Sequence, residues 1–496
     1  MNAAAALAVK SDAGRKAIAS FYHLDGQDLR KRRCSGTACF VARRKAPKMT
    51  SEELGGGRVY CLGECFTAPA IGVSGSRPHI ECPAPEPIVL GRILKGGARS
   101  LAKYGKLGGY RALSKALAHP REELLAAIER SELRGRGGAA FPTAKKWRAA
   151  ATQNASEKFI IANGDEGDCG AYIDRFLMED DPFALIEGMT LAGYAVGAQR
   201  GWIYVRAEYP DAEESLKRAL AEAVQARVLG KNIFAGTFSF EIELVRGSGS
   251  YICGEETALI RSIEGLRPEP QARPPFSAER GLFGMPTVMN NVETLVNVPW
   301  IVANSAEAYR SFGFSTSRGT KVVSLNSLFR RPGLYEVEFG VAVRDIVEEI
   351  GGGLQNGKIK GVMIGGPLAG IIPPELFDTP IGFEELREIG ASVGHGGVIA
   401  FDDRTSIAEL IHHVFSFGAY ESCGKCTPCR LGARRIEEIF RGALARGGAS
   451  KEDEREWRRC CEALRVASFC AHGTGLAEFA ESAIRRYGKE LEACFK

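Results

Sequence analysis

Cysteine placement constrains this chain more than any other feature. Of its 14 cysteines, four stand near the amino end as Cys34-x4-Cys39 and Cys61-x3-Cys65, and six near the carboxyl end as Cys423-x2-Cys426-x2-Cys429 followed by Cys460, Cys461 and Cys470. Cys82, Cys169, Cys253 and Cys494 are isolated. Grouped thiols serve either a secreted disulfide framework or metal ligation in a reducing compartment. A chain of 496 residues needs no such staples. Its Ala-rich opening, Met1–Val9, lacks the basic start and long apolar core of an export signal and reads as a frayed terminus or helix start. Metal ligation is therefore the expectation.

In Glu421-Ser-Cys-Gly-Lys-Cys-Thr-Pro-Cys-Arg430 a tight loop can wrap three thiolates around three corners of a [4Fe–4S] cubane. Structural zinc, the rival, usually takes two separated pairs. For the fourth corner we expect Cys470, in the turn-like Ser-Phe-Cys-Ala-His, over Cys460 and Cys461, which follow the charged helical stretch Lys451–Arg459. His472 reads as a neighbour, and His412 and His413 as packing residues of an apolar helix. At the amino end the two pairs suit zinc and [2Fe–2S] almost equally, and the second cluster site in the same chain tips the balance to iron–sulfur. Their flanks are apolar, small and β-prone, as in loops that follow strands of a small α/β domain. The isolated cysteines read as small buried hydrophobes.

The length implies three or four domains at about 100–200 residues each. Apolar content of 45% and charged content of 25% are ordinary for a soluble globular protein. No run approaches the about 18 apolar residues that would span a bilayer. A net charge of +5, with dispersed basic residues, argues against nucleic-acid binding.

Between the cysteine groups the chemistry changes. Leu133-Arg-Gly-Arg-Gly-Gly-Ala-Ala-Phe-Pro-Thr-Ala-Lys-Lys-Trp147 combines glycines, which let backbone N–H groups approach an anion or flat ring, with Arg136, Lys145 and Lys146 for phosphate charge. Such a loop alone is weak evidence, and a solvated surface turn explains it as well. The strand pattern Phe159-Ile-Ile-Ala runs into the acidic loop Asn163-Gly-Asp-Glu-Gly-Asp-Cys-Gly170, and α/β proteins place their sites at such strand ends. Helical periodicity over Met178–Tyr194 and Glu213–Gln225, with strands at 202–206 and 238–244, indicates a Rossmann-like, mainly parallel sheet. A second loop, Arg246–Thr257, opens a helix over 255–264, whose dipole suits a structural role for one of Glu255 and Glu256. Phe276, Phe283, Asn290 and Asn291 add groups able to stack on or hydrogen-bond to a planar heterocycle.

Taken in this order, the Gly-rich loop, the Asp-Glu loop, Tyr251–Thr257, Asn290-Asn291 and Glu421–Arg430 resemble the NADH-oxidising FMN/[4Fe–4S] flavoprotein subunit of respiratory complex I. Diaphorase subunits of NAD-reducing hydrogenases and β subunits of soluble NAD-dependent formate dehydrogenases are relatives. The resemblance covers about Leu133 to Lys496, and residues 34–82 resemble the thioredoxin-like [2Fe–2S] module that complex I carries as a separate subunit. It implies an α/β multidomain chain: a thioredoxin-like [2Fe–2S] domain at 1–90, a linker at 91–130, a Rossmann-like FMN/NAD domain at 131–312, a β-grasp domain at 313–405 and a helical [4Fe–4S] domain at 406–496. The 21 residues between Cys39 and Cys61 point to a trimmed amino-terminal module.

Carried over by position, the resemblance implies FMN lined by Gly135, Arg136, Gly137, Gly138, Lys146, Asn163, Asp165, Glu166, Tyr251, Gly254, Glu255, Asn290 and Asn291. Phe141 and Phe276 would sandwich the NAD adenine, with Asp168 and Glu256 also toward NAD, and Glu256 and Glu166 would form the hydride-transfer pocket. Cys423, Cys426, Cys429 and Cys470 would hold [4Fe–4S], and Cys34, Cys39, Cys61 and Cys65 [2Fe–2S]. Gly167-Asp168-Cys169-Gly170 departs from the Glu-Pro-Gly common in complex I; with Gly36–Arg43 it is closer to the formate dehydrogenase β subunits. The implied function is the diaphorase subunit of a cytoplasmic NAD-dependent formate dehydrogenase. Its partners would be a molybdenum or tungsten α subunit, with a small [2Fe–2S] γ subunit as a further candidate. A hydrogenase diaphorase, or a fused NADH-input module of complex I, is the alternative.

Overall fold

The computed structural model describes residues 18, 21–24, 29, 32–43 and 59–495; the Ala-rich opening lies outside them. Four parallel strands lie in the order Glu241–Arg246, Arg200–Val205, Phe159–Gly164, Thr287–Asn291. The chain thus steps twice to one side of Phe159–Gly164 and then returns to the other. In open α/β sheets ligands bind in a crevice outside the carboxyl ends of the strands at such a reversal, here Phe159–Gly164 and Thr287–Asn291, where Asn163 pairs with Asn291 in register. The outer strand begins at Glu241 rather than at the expected 238, because Phe240 is held in an antiparallel bridge to Gly230.

The single helix expected over Met178–Tyr194 is two, Ile173–Asp180 and Pro182–Val196. Pro182 has no N–H to continue the first and sits at the start of the second, where none is needed. Pro182–Val196 is buried on nearly every side, as a helix apolar all round must be. It packs so closely on Val292–Asn304 that a Cβ on Gly188 would stand 2.2 Å from the Leu295 carbonyl oxygen.

Residues 91–130, expected as a linker, form four helices: Gly91–Leu94, Leu101–Lys106, Arg111–Leu117 and Arg121–Arg130. They are anchored to the core by buried carboxylates, with Asp181 holding Arg92 and Asp180 holding Arg99. Glu187 accepts the Tyr104 hydroxyl and the N–H groups of Tyr110 and Leu113. A buried polar anchor leaves no periodic trace, which explains the missed assignment.

The second sheet is mixed, in the order His79–Glu81, Gly333–Glu338, Thr320–Leu325, Gly397–Asp402, Ile359–Ile364. Its core falls inside the expected 313–405, but its edge strand comes from the amino-terminal segment. Among the described residues of 1–90 this is the one strand, and they form no thioredoxin-like sheet of their own. The trimmed spacing leaves little chain for one. Instead the cysteine segment docks on helix Ile407–Tyr420, where Phe40 stacks on His413 at 4.1 Å and Thr37 Oγ1 lies 3.2 Å from His413 Nε2. That helix opens the carboxyl-terminal bundle, which continues with Arg434–Arg446, Lys451–Ala467 and Ala471–Glu492. A capping box between Ser450 and Asp453 starts Lys451–Ala467.

The two sheets are joined by a buried ion pair. Glu293, in the first turn of Val292–Asn304, meets the Lys321 ammonium and accepts the Val322 N–H at 2.9 Å, and both charged side chains are fully buried. Removing one partner of such a pair costs about 3–5 kcal/mol. Lys321→Met should therefore lower the urea midpoint followed by circular dichroism; an unchanged midpoint would show that the pair does not hold the junction.

Candidate functional site

The crevice at the sheet reversal is floored by glycine. A Cβ on Gly137 would lie 2.8 Å from Asn291 Cβ, and Gly138 has φ 115°, so neither tolerates a side chain. Gly135 donates its N–H to the Phe141 carbonyl, closing the loop. Such a bare backbone surface can approach a flat ring or a phosphate, which fits the flavin expectation. Across it, Asn163 donates to the Gly254 carbonyl at 3.0 Å and accepts the Asp165 N–H, knitting the Asp-Glu loop to the Tyr251 loop. The Asp165 carboxylate faces Gly254 and Gly167. Burial lifts its pKa well above the carboxylate range, with Arg206 opposing.

Two partly exposed charges face each other here. Lys146 Nζ, on helix Thr143–Ala151, lies 3.3 Å from Glu256 Oε1 and donates to the Met289 carbonyl. Arg273 reaches the other Glu256 oxygen at 3.5 Å. The neighbouring Glu255 is occupied: its carboxylate caps helix Glu256–Ile263 through the N–H groups of Thr257 and Ala258. Of the adjacent pair, then, Glu255 is structural and Glu256 is available. Phe141 and Phe276 are half exposed, with ring area free to stack on a base.

Several expected lining residues are spent on the scaffold instead. The Arg136 guanidinium, expected to neutralise phosphate, is buried; it donates to Tyr309 Oη and the Arg318 carbonyl and lies 4.8 Å over the Phe339 ring. Its planar fork suits that junction, and only its backbone belongs to the loop. Asn290 accepts the Trp147 indole N–H, and Asn291 caps Val292–Asn304 while donating to Asp174. Asp168 is held at 2.6 Å by the Tyr251 hydroxyl.

Glu166, expected in the hydride-transfer pocket, has no capacity left for it. Oε1 accepts the N–H groups of Ile173 and Asp174 at 2.6 and 2.8 Å, and Oε2 accepts the Arg175 N–H and the Tyr209 hydroxyl. His395 Nε2 lies 3.0 Å from Glu166 and 3.1 Å from Asp174. Burial pushes the imidazole pKa down, but the two carboxylates overcome it and hold it well above the ordinary value. Burial raises Glu166, yet His395 and the helix N–H groups bring it below the usual range, whereas burial lifts Asp174 to about 6. His395, Asp174 and Arg206 escaped the sequence reading because each acts through a contact remote in the chain. The flanking glycines of His395 were the one available signal.

At the bundle, Cys423, Cys426 and Cys429 follow helix Ile407–Tyr420, and Cys470 is the N-cap of Ala471–Glu492. Cys423, Cys426 and Cys470 all act electrostatically on Cys429. Ser422 Oγ lies 3.2 Å from Cys429 Sγ, the Lys425 N–H serves Cys423, and the N–H groups of His472 and Gly473 serve Cys470. Such donors stabilise thiolates. Burial lifts the Cys429 thiol to about 12 and the Cys470 thiol to about 11; a bound iron cluster would supply the charge that ionises them. Cys461 lies on Lys451–Ala467, buried in the core, and His472 bonds the Gly418 carbonyl.

The amino-terminal cysteines gather similarly. Cys61 Sγ lies 3.3 Å from Cys65 Sγ, and Cys34 contacts both Cys39 and Cys61. The N–H groups of Gly36, Ala70 and Gly63 point at the sulfurs of Cys34, Cys39 and Cys61. Cys169, expected as an inert hydrophobe, joins them through contact with Cys61. The carboxyl-terminal motif with Cys470 offers the three-plus-one thiols that a [4Fe–4S] cluster takes, and the amino-terminal site brings two cysteine pairs together.

The charge on His395 sets a pH dependence. An imidazole with a raised folded pKa stabilises fully below its unfolded value, about 6.5, and loses that contribution as pH rises toward the folded pKa. His395→Gln should flatten this alkaline loss and destabilise the fold by about 3–5 kcal/mol at neutral pH. Thermal midpoints measured from pH 6 to 10 check it; parallel profiles for variant and wild type would contradict it.

Residues 128–300 match the Nuo51 FMN-binding domain family, and residues 409–494 the NADH-ubiquinone oxidoreductase-F iron–sulfur binding region. The chain is 40% identical over 395 residues to the NADP-reducing hydrogenase subunit HndC of Solidesulfovibrio fructosivorans, covering 79% of this chain and 80% of that one. It is 40% identical over 400 residues to an NADH-quinone oxidoreductase subunit of Escherichia coli, covering 80% and 90%. Its fold matches a chain of the NAD+-reducing [NiFe]-hydrogenase in the H2-reduced state, with TM-score 0.83 and 30% identity over all of this chain and 91% of that one. With its glycine-floored crevice and its convergent cysteines, the chain belongs to the family of NADH-binding FMN/[4Fe–4S] flavoprotein subunits.

Proposed function

We propose that this chain is the diaphorase subunit of a soluble, cytoplasmic NAD-dependent formate dehydrogenase, linking NAD(H) to a partner subunit that carries molybdenum or tungsten. The observation that carries the electron-transfer reading is the adjacency of crevice and cubane loop. Tyr251 donates its hydroxyl to Asp168 of the Asp-Glu loop and its N–H to Glu421 at the start of the cysteine motif, and its ring packs on His472 beside Cys470. FMN bound in the crevice would supply the exchange between hydride pairs and the single electrons that iron–sulfur clusters accept.

The chain's own residues bind and orient. The glycine floor leaves room for the ring system, Lys146 and Arg273 supply positive charge, and Phe141 and Phe276 offer faces for the adenine. Glu256 is the carboxylate positioned to meet the nicotinamide ribose. No side chain here need act as a general acid or base. The amino-terminal cysteines would hold [2Fe–2S]. Among the described residues no helix is long and apolar enough to cross a membrane.

The formate assignment rests on Gly167-Asp168-Cys169-Gly170 and Gly36–Arg43. A hydrogenase diaphorase is the second reading, favoured by the fold likeness over the whole chain. Metal analysis of the native complex separates them. Molybdenum or tungsten with formate-dependent NAD+ reduction is expected; nickel with hydrogen uptake and neither of those metals would reject the formate assignment. For the pocket itself, a hydrogen bond to a charged group is worth about 1.5–3 kcal/mol. Glu256→Gln should thus lower kcat/KM for NADH–ferricyanide turnover about tenfold or more, with FMN retained. Unchanged kinetics would remove Glu256 from the site.

A further inference from the structure

The amino-terminal site holds five sulfurs where a [2Fe–2S] cluster takes four. The fifth comes from elsewhere in the chain. Cys169 lies in the Asp-Glu loop, four residues after Asp165, and is fully buried. Its sulfur lies beside that of Cys61, with the Thr37 backbone N–H nearby. The fit is close: a Cβ on Gly36 would stand 3.2 Å from Cys169 Sγ and 3.4 Å from Cys34 Sγ.

The contacts sort the five. Cys61 meets Cys65, and Cys34 meets both Cys39 and Cys61, so the two sequence pairs stand together as four thiols able to serve a two-iron cluster. Cys169 reaches the set chiefly through Cys61. A thiol left over beside a ligand sulfur is an S–H donor to it. We propose that Cys169 is a positioning residue of the amino-terminal cluster, donating a hydrogen bond to the Cys61 sulfur and thereby coupling that cluster to the Asp-Glu loop beside the flavin crevice. This rests on the reading that Cys34, Cys39, Cys61 and Cys65 hold [2Fe–2S].

A hydrogen bond to a ligand sulfur favours the more negative, reduced cluster and so raises its potential. Removing the donor lowers it. The test uses the full chain purified anaerobically, as wild type, Cys169→Ala and Cys169→Ser, with iron and sulfide analysis and redox titration followed by electron paramagnetic resonance. Iron is expected to be retained in all three. In Cys169→Ala the [2Fe–2S] midpoint should move to more negative potential with shifted g values, while the [4Fe–4S] signal stays in place. Cys169→Ser keeps a donor and should fall nearer wild type. An unmoved [2Fe–2S] potential and spectrum in Cys169→Ala would overturn the proposal. So would loss of the two-iron signal from that variant alone, which would make Cys169 a ligand. Wild type holding only cubane iron would instead refute the [2Fe–2S] reading, and the proposal with it.

Discussion

The buried carboxylate of Glu166 ties the parts of this molecule together. Its backbone carries φ 33°, a conformation that non-glycine residues adopt only when their surroundings compel it. Here the side chain supplies the compulsion, because it accepts the first-turn N–H groups of helix Ile173–Asp180 and meets both Tyr209 and His395. The backbone carbonyl takes the Arg206 guanidinium at 2.6 Å. One residue thereby fixes the Asp-Glu loop against its own helix, against the second sheet through His395, and against the parallel sheet through Arg206. A charge so placed would be ruinous unpaired, and its pairing makes the loop's shape a property of the whole fold.

From that fixed loop three consequences follow. Asn163 and Asp165 are held against the Tyr251 loop, Asp168 is presented to Tyr251, and Cys169 is delivered to the amino-terminal sulfurs. Tyr251 continues the chain of contacts to Glu421 and His472, and so to the cubane loop. On the far side, helix Ile407–Tyr420 carries His413 against Phe40 beside Cys39. Crevice and both cysteine sites thus share a rigid frame with few intermediaries, as electron transfer over short distances demands.

Much of this was legible in the residues. The parallel sheet followed from alternating strand and helix patterns, and the cubane loop from its cysteine spacing, because both signals are local. Cys470 stands at a helix start, as its turn-like segment suggests, whereas Lys451–Ala467 turns Cys461 into its own core. The adjacent Glu255 and Glu256 divided as the helix dipole implies, one a cap and the other a partly exposed carboxylate facing Lys146 and Arg273. What escaped the sequence was nonlocal. Glu187 anchors residues 91–130, Arg136 turns into the junction, and Asn290 and Asn291 serve Trp147 and Asp174. Each is a polar residue whose partner lies far along the chain, so its type announced chemistry while its place decided structure. Cys169 erred the other way: isolated in sequence, it is one of five in space.

A flavin and a cubane held close together within this one polypeptide are the condition for electron transfer here. The most direct test is anaerobic addition of NADH to the purified chain, followed by visible absorption and electron paramagnetic resonance. Bleaching of flavin absorption together with the signal of a reduced [4Fe–4S] cluster is the result expected. A protein that carries neither flavin absorption nor iron with inorganic sulfide would contradict that claim at its foundation.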